Sequence, residues 1–121
     1  MGEWILKRSC SFKTVEDDRG RLIAFDKFQS FSLKRFYVID CNKGKWRGDH
    51  YHKVSTQLIG VIQGELEIEI SGNCNNQAFS MKPGDMFEQA PGVRFKFRSV
   101  QETSRLIVLC DSSHDLGDYY T

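Results

Sequence analysis

The chain has no apolar run approaching the roughly 18 residues that a membrane helix needs, and it carries almost no net charge. Its 17 Lys and Arg against 16 Asp and Glu leave +1, so no bulk field draws it to nucleic acid or to a membrane surface. An anionic ligand would need a local cluster of Arg or Lys instead. Cysteine is sparse: Cys10, Cys41, Cys74 and Cys110 lie far apart with no CxxC pair. With no secretory leader in view, this usage points away from a disulfide-stapled secreted scaffold and towards reduced thiols in a soluble, cytoplasmic protein. Sustained helical stripes, internal repeats and low-complexity tracts are also missing. At 121 residues the expectation is one domain over 1–121, large enough to bury about two thirds of its unfolded surface.

What is present reads with period two. Glu65-Leu66-Glu67-Ile68-Glu69-Ile70 alternates strictly, setting three carboxylates on a wet face and three aliphatic side chains on a buried one. Arg35 to Asp40, Gln57 to Ile62, Arg94 to Arg98 and Leu106 to Cys110 are similarly rich in β-branched and aromatic residues. Trp4 to Phe12 and Leu22 to Phe25 add two further strands. Turn signals fall between them: Asp18-Arg19-Gly20, Asn42-Lys43-Gly44, Gln63-Gly64, Ser71-Gly72-Asn73, Pro83-Gly84-Asp85 and Pro91-Gly92. Short strands at a spacing of roughly ten residues predict an all-β sandwich or barrel. The polar tail from Asp111 to Thr121 lacks strand periodicity and is expected to lie across the surface or to fray.

The densest chemistry sits in Arg47-Gly48-Asp49-His50-Tyr51-His52-Lys53. In a strand, residues two apart share a face, so His50 and His52 are neighbours and Asp49 and Tyr51 take the other side. These are two of only three histidines in the chain, and Arg47 and Lys53 flank them with fixed positive charge suited to phosphate.

Gly44, His50, His52, Gln57 and Gly64, followed by Pro83-Gly84-Asp85 and Pro91-Gly92-Val93, resemble the two motifs of the cupins. That resemblance implies a single-domain jelly-roll β-barrel. Cupin metal sites use three or four ligands, histidines plus a carboxylate. Here Gln57 stands where the carboxylate is usual and Phe95 where the last histidine is usual. Asp49 belongs to the opposite alternation, and His114 lies in the tail. No catalytic metal is expected.

Among metal-independent cupins the chain resembles the sugar 3,4-ketoisomerases that act on dTDP-4-keto-6-deoxyglucose. The resemblance rests on Asp18-Arg19-Gly20, on Arg35-Phe36-Tyr37, on the Arg47 to Lys53 run with Gln57, and on the closing Leu106 to Cys110 with Asp118-Tyr119-Tyr120. It extends over nearly the whole length. Two departures stand out: Tyr51 replaces the family's alanine between the histidines, and Arg94-Phe95-Lys96 follows Pro91-Gly92-Val93 where the family tends to have tryptophan and a polar residue.

The resemblance implies a cofactor-free isomerase of deoxysugar biosynthesis for surface glycans, working as a strand-exchanged homodimer on a dTDP-linked 4-keto-6-deoxy sugar. It points to His50 as the base at C3, to His52 as a proton shuttle between the oxygens or a group that polarises the ketone, and to Tyr37 as an acid or hydrogen-bond donor to the developing enolate. Histidine titrates near neutral pH and so suits such transfers. Arg19, Arg35, Arg47 and Lys53 become contacts to the pyrophosphate and thymine side, and Gln57 an uncharged partner of the sugar. Taken singly, each of these cations also reads as a solvated surface charge, and Tyr37 as a core aromatic. A dTDP-4-keto-sugar epimerase acting at C3 or C5 and a non-catalytic sugar-binding cupin remain open alternatives.

Overall fold

The structure, a computed structural model, describes residues 11–26, 32–52, 55–72, 75–112 and 119–120. Among these there is no helix, and therefore none long and apolar enough to cross a membrane. The strands are β1 (Ser11–Asp17), β2 (Gly20–Asp26), β3 (Arg35–Asn42), β4 (Arg47–His52), β5 (Gln57–Gln63), β6 (Leu66–Gly72), β7 (Asn75–Met81), β8 (Met86–Gln89), β9 (Arg94–Ser99), β10 (Thr103–Cys110) and β11 (Tyr119–Tyr120).

Alternation decides how they stack. On β6, Leu66, Ile68 and Ile70 are buried, while Glu67 and Glu69 face out. The neighbouring β9 answers residue for residue, burying Phe95 and Phe97 and turning Lys96 and Arg98 outward. The register sets Glu67 opposite Arg98 and Glu69 opposite Lys96, and the pairs close at 2.6 and 3.5 Å. Such cross-strand ion pairs are worth roughly 0.2–1 kcal/mol each. Burying one aliphatic of the inner row contributes about 1.5–3 kcal/mol, so the apolar face, not the ladder of charges, holds the sheet.

A four-stranded sheet in the order β3-β10-β5-β8 faces a five-stranded one in the order β11-β4-β9-β6-β7. Their inner faces share one core in which Ile59, Val61, Leu106 and Val108 meet Leu66, Ile68, Phe95 and Phe97. Phe87 and Phe95 stack across it with ring centres 5.4 Å apart. From β3 to β10 the chain crosses between the sheets at every step except the β6–β7 hairpin, the jelly-roll order, as expected.

The hairpin β1–β2 forms its own two-stranded sheet and closes at Asp17 and Gly20. It packs on the outer face of the four-stranded sheet, where Phe25 meets Leu58, Met86, Leu109 and Ile107. Gly60 leaves the room, since a Cβ there would stand 2.8 Å from the Phe25 ring. Arg21 Nη2 ties the hairpin down by donating to the Ile62 carbonyl at 2.7 Å. Both faces of β5 are therefore covered, and Gln57 to Val61 are all buried.

Two sequence expectations change. The tail is not free of strand structure: Tyr119 and Tyr120 pair with His52 and Tyr51. The first strand runs from Ser11 to Asp17, because pairing with β2 carries it to the turn; most of the expected Trp4 to Phe12 segment lies outside the described residues, as do Cys10, Cys74 and His114.

Candidate active site

A polar rung crosses the four-stranded sheet where β3 and β5 begin and β8 and β10 end. Cys110 pairs with Arg35 on one side and with Gln57 on the other, and Gln57 pairs in turn with Gln89. The next rung inward is Tyr37, Val108, Ile59 and Phe87. Period two sends both rungs into the barrel. Arg35, Gln57 and Gln89 of the first and Tyr37, Val108 and Ile59 of the second line a cavity of about 210 Å³ together with Arg47, Gly48, Phe95 and Phe97 of the facing sheet. A larger and more open cleft of about 430 Å³ runs along the outer side past Asp49, Glu69, Arg94 and Lys96. It contains none of the candidate catalytic residues, so the smaller, interior cavity is the better site.

Within the cavity the polar groups engage one another. Gln57 Nε2 donates to the Tyr37 hydroxyl and to Cys110 Sγ, each at 3.4 Å. The Arg35 guanidinium lies 4.5 Å from the centre of the Tyr37 ring, a cation–π contact. Gln89, almost fully buried, donates from Nε2 to the Val93 carbonyl at 2.9 Å. Burial pushes the Cys110 thiol above its ordinary range, against the opposing pull of the Arg35 charge and the Gln57 hydrogen bond. The thiol stays neutral at physiological pH.

The histidine strand does not alternate evenly. Arg47 stands opposite Phe97 and Gly48 opposite Lys96, but His50 stands opposite Phe95, leaving Asp49 as one extra residue. This is a β-bulge. It is built on positive φ at Gly48 (86°) and Asp49 (60°); aspartate is among the few non-glycine residues that adopt this region readily. Any side chain at position 48 would also meet the Phe95 carbonyl at 2.9 Å. The bulge resets the alternation: a straight strand would put Arg47 on the face opposite His50, whereas here positions 47 and 50 both oppose inward-facing phenylalanines. Asp49 still stays out of the cavity, as expected, but as the bulged residue rather than as one step of an even strand.

Of the sequence-predicted site residues, the structure brings Tyr37, Arg35, Arg47 and Gln57 to one cavity. The backbone at His50 and His52 belongs to β4; their side chains lie outside the described residues, and so does Lys53. Arg19 is not brought in. It sits exposed at the hairpin tip, 2.6 Å from Asp17. Phe95, at the position of the usual cupin histidine, is a buried hydrocarbon between Phe87 and Phe97 and has no lone pair to offer a metal.

A family model described as FdtA, WxcM-like, C-terminal, matches residues 7–121. The chain belongs to this family. A relative from Aneurinibacillus thermoaerophilus, named TDP-4-oxo-6-deoxy-alpha-D-glucose-3,4-oxoisomerase, is 28% identical over 90% of this chain and 81% of its own length. The QdtA 3,4-ketoisomerase of Thermoanaerobacterium thermosaccharolyticum, solved as a double mutant in complex with TDP, superposes with a TM-score of 0.78 at 25% identity, covering 92% of this chain and 83% of that one. A 3,4-ketoisomerase from Helicobacter canadensis gives 0.78 at 25% identity over 91% and 86%.

This WxcM-like chain has three site features that the sequence did not announce. Gln89 was hidden because Met86–Gln89 is a four-residue strand directly after a Pro-Gly-Asp turn. Cys110 reads as one more core thiol until the register sets it between Arg35 and Gln57. The bulge at Asp49 had one available signal, the Gly-Asp pair ahead of the histidines.

Proposed function

We propose that the chain is a 3,4-ketoisomerase of a TDP-linked 4-keto-6-deoxyhexose. One observation carries this reading: in a member of the WxcM-like family, Arg35, Tyr37, Arg47 and Gln57 converge on one interior cavity beside the strand that bears His50 and His52. Sugar 3,4-ketoisomerases among its relatives support the substrate class.

The chemistry is a proton migration. A base removes the hydrogen at C3, acidified by the C4 ketone, and the electrons flow into a C3–C4 enediol. A proton returned to C4, and the C3 hydroxyl proton passed to the C4 oxygen, leave the ketone at C3 with no net oxidation. His50 takes the C3 proton, His52 shuttles between the oxygens, and Tyr37 donates to the enolate oxygen. Gln57 donates to the Tyr37 oxygen and so orients the phenol within the cavity. Arg35, Arg47 and Lys53 take the pyrophosphate and thymine side, and Gln57 also borders the sugar.

The working unit in this reading is a cytoplasmic homodimer. Phe36 and Val38 are 61% and 51% exposed on the outer face of the edge strand β3, an apolar surface that a second copy would cover. Strand exchange would also give Arg19, distant from its own cavity, a partner's cavity to serve. Incubation with TDP-4-keto-6-deoxyglucose tests the activity: a 3-keto product is expected from the native chain and none from His50→Asn. Unchanged turnover in that variant would remove His50 from the mechanism.

A further inference from the structure

Arg94 sits on β9 beside Phe95, the register partner of His50. From the outer side its Nη1 donates to the backbone carbonyl of Asp49 at 2.9 Å and lies 3.4 Å from that residue's Oδ1. The bonded carbonyl belongs to the bulged residue, which has positive φ. A bulge leaves its extra residue outside the ladder, so an external donor is what fixes its peptide. We infer that Arg94 is a positioning residue: by clamping the Asp49 peptide it holds the β4 bulge, and through the bulge it keeps positions 47 and 50 in register with the inward-facing Phe97 and Phe95.

This inference rests on the ketoisomerase reading for its catalytic consequence, but not for the clamp itself. Arg94 is not among the residues that line the interior cavity. Its loss should therefore act on the geometry of the reacting groups rather than on nucleotide binding. Misplacement of a catalytic group by about 1 Å can cost 10²-fold in rate.

The experiment compares Arg94→Ala, Arg94→Lys and Asp49→Gly, each as the full chain. Turnover of TDP-4-keto-6-deoxyglucose, TDP affinity and backbone hydrogen exchange at residues 48–52 are measured side by side. Arg94→Ala is expected to lower kcat by roughly ten- to a hundredfold, to leave TDP affinity within about threefold, and to speed exchange at 48–52 by about tenfold with the core amides unchanged. Arg94→Lys, which keeps a cation and a donor, should recover part of kcat. Asp49→Gly removes the carboxylate and the strained φ but keeps the carbonyl, so it should lose less than Arg94→Ala. Unchanged exchange at 48–52 in Arg94→Ala overturns the clamp. Faster exchange with unaltered kcat overturns the positioning role, as does a parallel fall of kcat, TDP affinity and melting temperature. If the native chain turns over no TDP-4-keto sugar, the functional reading fails, and the exchange measurement still decides the clamp.

Discussion

Gln57 and Tyr37 meet amide to phenol, with Gln57 Nε2 donating to the Tyr37 oxygen at 3.4 Å while the same nitrogen stands 3.4 Å from Cys110 Sγ. The direction of this bond matters, because a phenol whose oxygen accepts from a buried amide is oriented before substrate arrives. Preorganised donors to a developing oxyanion are worth about 10²–10³ in rate. Tyr37→Phe is therefore expected to lower kcat by about that factor while leaving TDP affinity nearly unchanged, as read by steady-state kinetics and calorimetry. Gln57→Glu should also lower kcat, because a carboxylate would accept the Tyr37 hydrogen and turn it away from substrate.

A purely structural prediction concerns the hairpin. In Gly60→Ala the new methyl would stand 2.8 Å from the Phe25 ring, in a layer closed by Leu58, Met86 and Leu109. Overpacking of this kind costs about 1–3 kcal/mol, measured as a lower denaturant midpoint. Phe25→Leu in the same background should recover part of the loss; if it deepens the loss instead, the contact is not the cause.

Much of this architecture was legible as pattern. Leu66, Ile68 and Ile70 announced β6 because one face is dry and the other wet, and Phe95 and Phe97 did the same for β9. Asn75–Met81 was not legible: Asn75-Asn76-Gln77 has no apolar alternation, and it becomes a strand by pairing with β6 over Leu66 to Gly72. The site divides in the same way. Arg47 stood out beside the histidines, Gln57 by its place in the cupin motif and Arg35 and Tyr37 by the ketoisomerase resemblance, whereas Gln89 and Cys110 acquire meaning only from cross-strand register, which a linear sequence does not state. The bulge is the sharpest case, since one extra residue with positive φ inverts which side Arg47 takes.

Burial has a consequence for stability at high pH. The Cys41 thiol is fully buried, and desolvation pushes it from an ordinary value near 9 up to about 11, with the Arg47 charge pulling the other way and the Asp40 charge adding to the rise. The folded state thus holds its proton more tightly than the unfolded one. The contribution is complete below about pH 9 and is lost as pH rises from about 9 to about 11; two pH units correspond to about 3 kcal/mol. Cys41→Ala should flatten the alkaline limb of stability against pH in that window, as measured by urea unfolding. Identical slopes for the two proteins would contradict it.

The outer face of β3 carries the prediction for assembly. Phe36→Lys combined with Val38→Lys adds charge to exposed positions that carry no core contacts, so the fold should persist. If a second copy covers this face, sedimentation should show a native dimer and a monomeric double variant. A native monomer, or a variant that remains dimeric, would count against that surface.

The central claim is that the cavity moves a ketone between neighbouring carbons by proton transfer alone, and proton NMR in D₂O tests it most directly. With TDP-4-keto-6-deoxyglucose as substrate, the C3 proton should disappear, the ketone should migrate to C3, and one solvent deuterium should appear on C4. Exchange of carbon-bound protons with the ketone still at C4 would contradict the account and indicate epimerisation, and tight binding with neither change would indicate a sugar-binding protein without catalysis.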